Sequence, residues 1–162
     1  VPLIVTDSPE FGKEVKKEVS RQLKLLKRKN IASQAVKSQG RIFIVKDIYQ
    51  AVEVANALAP EHLELCVKNP KALVKKIKHA GAIFLGSMST EAFGDYIAGP
   101  SHVLPTGGAA RFSSPLSVYD FLRMPSVISI SKKGFEKLRD SVMNLAYSEE
   151  LEAHALSVKV RK

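Results

Sequence analysis

The sequence predicts an α/β fold: an open, mostly parallel sheet with helices on both faces, followed by a small helical C-terminal extension. Three observations predict it. Short apolar runs rich in β-branched residues ("PLIVT" at 2–6, "RIFIV" at 41–45, "HLELCV" at 62–67 and "AIFLG" at 82–86) alternate with stretches of helical period. The joins between them are short and carry Pro, Gly, Asp or Ser. Strands separated by a helix run parallel, because a crossover of that length returns the chain in its starting direction. The pattern is that of an incomplete Rossmann-like arrangement, in which ligands gather outside the carboxyl ends of the strands.

Each element has a local cause. After the first strand, Ser8 is placed to cap a helix running to about Lys29, with Glu10 and Glu14 near its positive end. Phe11, Val15, Val19, Leu23 and Leu26 form its apolar stripe. Asn30 to Ser38 reads as a short helical piece stopped by Gly40. Asp47 opens a helix over Ile48–Leu58 that Pro60 ends, and a further helix is expected from Pro70 to His79. The segment "GDYIAGPSHVLPTGGAARFS" (94–113) has neither helical nor strand period and reads as a long loop beyond the fourth strand. Then come a short helix in "PLSVYDFLRM" (115–124), a strand in "SVISIS" (126–131), a helix over Lys133–Tyr147 and a last helix within "SEELEAHALSVKVRK". The expected division is 1–125, an α/β domain carrying the loop, and 126–162, a helical C-terminal extension.

Composition narrows the function. The 162 residues suffice for one domain with an appendage, and 45% apolar content allows an ordinary core. No apolar run approaches the ~20 residues of a membrane span, and no secretory leader is visible. The single cysteine, Cys66, forbids an internal disulfide and suits a reducing cytoplasm. A net charge of +9 raises nucleic acid as a partner. Eight of the cations crowd between Lys13 and Lys29, on the outer face of an amphipathic helix, with no aromatic residue interleaved beyond Phe11. The expectation is therefore no nucleic-acid partner and no membrane.

Several side chains could carry chemistry. His62 follows Glu61 in "APEHLEL", at a helix-to-strand junction where backbone geometry is fixed. Asp95 and His102 lie in the glycine-rich loop, free either to converge on a ligand or to satisfy the loop itself. His154 follows Glu150 by one turn on the last helix, an arrangement common to surface pairs. His79, near a helix end among lysines, reads as structural. No HExxH, CxxC, GxxxxGK[ST] or GxGxxG spacing occurs, so no dinucleotide fingerprint lies within these residues.

In combination these segments are more specific. "APEHLEL" (59–65), "AGAIFLG" (80–86), "EAFGDYIAGPSHVLPTGGAARFSSPLSVYDF" (91–121) and "LEAHA" (151–155) together resemble histidinol dehydrogenases, over the C-terminal portion of that family's chain. Ser101 departs from the family pattern, which usually has Asn there. The resemblance implies an NAD-dependent, zinc-requiring oxidation of L-histidinol through histidinal to L-histidine, the last steps of histidine biosynthesis. It implies Glu61 and His62 as the catalytic pair. His62 would be the base for the alcohol, and Glu61 would activate the water that hydrates the aldehyde. It implies Asp95 and His154 as zinc ligands, with two more in a Q-x-x-H motif expected just before Val1. His62, Asp95, His102, Glu149 and His154 would bind substrate. Glu149 and His154 would come from the neighbouring subunit of a homodimer. Arg111 and Thr106 would shape the loop. The family's cofactor domain has no counterpart here, so the isolated chain is expected to be inactive. A second reading is a binding or assembly module without catalysis.

Overall fold

The computed structural model describes residues 1–161 and divides into two compact units, Val1–Phe121 and Leu122–Lys162. The first holds four strands and five helices, in the order β1 (Leu3–Thr6), α1 (Pro9–Leu23), α2 (Lys29–Gln39), β2 (Arg41–Ile44), α3 (Ile48–Leu58), β3 (His62–Leu65), α4 (Pro70–Val74), β4 (Ala82–Leu85) and α5 (Glu91–Tyr96). Short 3-10 turns follow at Ala109–Arg111 and Val118–Phe121. The second unit is a pair of helices, α6 (Lys132–Ser148) and α7 (Glu152–Lys159). Among the described residues no helix is long and apolar enough to cross a membrane.

The strands form two parallel pairs, each closed by a helical crossover. β1 pairs with β2 in the register Leu3↔Arg41 to Thr6↔Ile44, and β3 pairs with β4 from His62↔Ala82 to Leu65↔Leu85. This is the incomplete Rossmann-like arrangement, with its helical extension. The expected helix starts hold. Ser8 Oγ accepts the Phe11 amide at 3.1 Å, and Asp47 Oδ1 accepts that of Gln50 at 2.8 Å. α3 lies against β1, linking the two strand pairs. A core of Val52, Leu65 and Leu73 forms where α3 and α4 meet β3.

Five expectations need correction. The first helix stops at Leu23 rather than Lys29, where Lys24, Lys27 and Arg28 complement its negative end and tighter turns take over. α4 stops at Val74 rather than His79, because Asn56 from α3 captures the chain beyond it. The Asn56 amide donates to Lys76 O (3.0 Å) and accepts from Lys78 N (2.6 Å) and His79 N (3.3 Å). The short helix expected at 115–124 is only the 3-10 turn Val118–Phe121. Residues 126–131 are no strand: their alternation is strand-like, but Val127, Ile128 and Ile130 are exposed and no second strand bonds to them. The segment from Gly94 is not wholly irregular either, since its first residues finish α5 and carry Asp95 on a helix.

Candidate functional site

The site begins with a sharp turn. Helix α3 ends at Ala59, which is fully buried in a left-handed conformation (φ 48°), so the chain reverses and Pro60-Glu61 lead straight into β3. The Glu61 carbonyl accepts the Ala82 amide at 2.8 Å, and Gly81 is packed so tightly beneath it that a Cβ would stand 2.6 Å from that oxygen. This fixes the backbone immediately before His62, the first residue of β3.

Helix α5 lies over the same face of the β3–β4 pair. Gly94 permits this closeness: a Cβ there would stand 2.7 Å from the Phe84 ring. The Phe84 ring in turn lies 6.1 Å from the His62 imidazole, tilted by 33°. Asp95 Oδ1 comes to 3.7 Å from His62 Nε2. That nitrogen is shielded from solvent and has no hydrogen-bond partner, since 3.7 Å is beyond bonding reach.

A third group joins them. Ligand atoms of His62, Glu91 and Asp95 all lie within 4.8 Å of one another, the one such acidic and imidazole cluster among the described residues. A hydrogen bond to Asp95 holds the Glu91 carboxyl above its ordinary range; burial and the Asp95 charge push the same way, against the nearby imidazole. One imidazole nitrogen and two carboxylates form a donor set suited to a divalent cation such as zinc.

Of the residues singled out from sequence, His62 and Asp95 are brought together. Glu61 is half-buried next to His62 but outside the cluster, and His102 is exposed on the loop. Glu149 and His154 are exposed in the second unit, at the end of α6 and on α7. Arg111 ties the loop down: Nη1 donates to Gly108 O at 3.0 Å and Nη2 to Ala57 O near the end of α3. Glu91 and Glu64 were missed. Thr90 followed by Glu91 is a helix-start pattern one turn before Asp95, and Glu64 lies two residues after His62 on the same strand face. The Glu64 carboxylate accepts the Glu91 amide at 3.0 Å.

The family model described as histidinol dehydrogenase matches residues 1–162. The chain is 52% identical over 160 residues to the histidinol dehydrogenase of Aquifex aeolicus, covering 99% of this chain and 38% of that protein. It is 49% identical over 160 residues to that of Bacillus subtilis, again covering 99% and 38%. The crystal structure of histidinol dehydrogenase from Elizabethkingia anophelis superposes with a TM-score of 0.86 at 36% identity, covering 98% of this chain and 36% of that one. The chain thus spans little more than a third of the length of the relatives it matches.

Proposed function

The chain belongs to the histidinol dehydrogenase family, and from that premise we propose that it supplies the C-terminal part of an NAD-dependent L-histidinol dehydrogenase, a cytoplasmic homodimer. The enzyme would oxidise L-histidinol to histidinal and then to L-histidine. The single observation that carries the assignment is the approach of His62 Nε2 to Asp95 at 3.7 Å, with that nitrogen unpartnered. An unpartnered imidazole nitrogen near a carboxylate, on segments that belong to this family, supports this reading.

The chemistry assigned to the chain's own residues follows from the demands of the reaction. The first oxidation removes a proton from the alcohol oxygen as hydride leaves the adjoining carbon. His62 Nε2 is assigned that proton, since the nitrogen has no other hydrogen-bond partner. The second oxidation needs the aldehyde as its hydrate. Glu61, half-buried on a pinned backbone, takes a proton from the attacking water. NAD, when bound, accepts one hydride in each oxidation. Zinc, when bound, supplies positive charge that orients the imidazole and amine of the substrate. Asp95 and His154 would hold it, and His102 and Glu149 would bind the substrate's polar groups. Glu149 and His154 are assigned to the site of the neighbouring subunit.

Kinetics of the whole enzyme with histidinol and with histidinal test these roles. His62→Asn should slow NADH formation from both substrates. Glu61→Gln should spare alcohol oxidation and slow aldehyde oxidation by a factor on the order of 10² or more. A Glu61→Gln enzyme that oxidises histidinal at the parent rate removes Glu61 from its role.

A further inference from the structure

We infer that Glu64 is a positioning residue that sets Asp95 against His62 by capping helix α5 from the neighbouring strand. The inference deepens the function proposed above and rests on it.

The geometry is one of matched spacings. His62 and Glu64 are two residues apart on β3, so their side chains leave the same face about 6.6 Å apart. Glu91 and Asp95 are four residues apart on α5, about 6 Å along its axis. The two intervals are alike, and the contacts follow opposite orders along the two elements. Glu91 meets Glu64 (N to Oε1 3.0 Å), and Asp95 meets His62 (3.7 Å). Phe84, the ladder partner of Glu64, packs against Gly94 of the same helix.

Glu64 is needed because α5 cannot cap itself. It has six residues, too few for independent stability, and Thr90 at its N-cap makes no side-chain bond to it. The Glu64 carboxylate supplies the missing acceptor from 27 residues away in sequence, with its negative charge at the positive end of the helix. Without it the first turn frays, and the orientation of Asp95 one turn later is no longer held. Glu64 is itself exposed, so its removal leaves the core untouched.

The test compares three variants of the whole enzyme by zinc competition with a chromophoric chelator, by kcat and KM for histidinol, and by thermal unfolding. Glu64→Ala should weaken zinc binding and lower turnover by about tenfold or more, the usual range for a residue supporting a ligand, with little change in Tm. Glu64→Gln keeps an acceptor oxygen at the same reach and should stay within about threefold of the parent. Parental zinc affinity in Glu64→Ala, or a loss in Glu64→Gln as large as in Glu64→Ala, overturns the inference. Asp95→Ala separates the two levels. If it loses zinc while Glu64→Ala does not, the role of Glu64 alone fails. If Asp95→Ala binds zinc as the parent does, the metal assignment fails and takes this inference with it.

Discussion

Phe84 lies directly beneath Gly94, with its Cε1 and Cζ atoms 2.7 and 2.8 Å from where a Cβ on that residue would stand. The contact seats α5 on the β3–β4 pair, and so sets the height of Asp95 above His62. Gly94 is helical and would ordinarily weaken its helix by about 1 kcal/mol relative to Ala. Close packing on the ring compensates for that weakness.

Gly94→Ala should therefore fail despite its better helix propensity. Overpacking against the ring should cost about 1–3 kcal/mol and displace Asp95, with a fall in turnover of the whole enzyme. Phe84→Leu in the same protein should recover part of the loss by vacating the space. Steady-state kinetics and thermal unfolding of the single and double variants measure both effects; an unaffected single variant would contradict the packing described.

Asn56 offers a second test. Its side chain holds three backbone groups of the segment after α4, and Ala in its place leaves them to solvent. A loss of about 1–2 kcal/mol is expected in denaturant unfolding, because water only partly replaces such bonds. Asn56→Asp keeps the acceptor for Lys78 and His79 but turns a carboxylate oxygen towards the Lys76 carbonyl, and should also be less stable than the parent.

Glu150 offers a gain instead. It occupies a left-handed position (φ 60°) between α6 and α7, and the bonds Glu150 N to Tyr147 O and Leu151 N to Ala146 O close the end of α6. Glycine is the residue that adopts this conformation without strain. Glu150→Gly should raise stability by about 1 kcal/mol, read as a higher Tm, and an unchanged or lower Tm would contradict it.

Much of the first unit was legible in the sequence. Ser8 and Asp47 announce their helices, and the four apolar runs announce their strands, because capping and period are local properties. What escaped depends on contacts distant in sequence. Asn56 shortens α4 from another helix, and nothing between Pro70 and His79 betrays it. "SVISIS" has the alternation of a strand but no partner to pair with. At the site, His62 and Asp95 stood out as residue types, and their order among the other motifs made them specific. Glu91 and Glu64 stayed hidden because their value appears only once α5 exists and lies along β3. The glycines that disguise that segment as a loop are partly there to let the helix come so close.

The Arg111 guanidinium, bound to a carbonyl of α3 as well as to its own loop, moors the segment carrying His102 at its far end. Peeling this segment away would strip the last turn of α3 of its counter-charge.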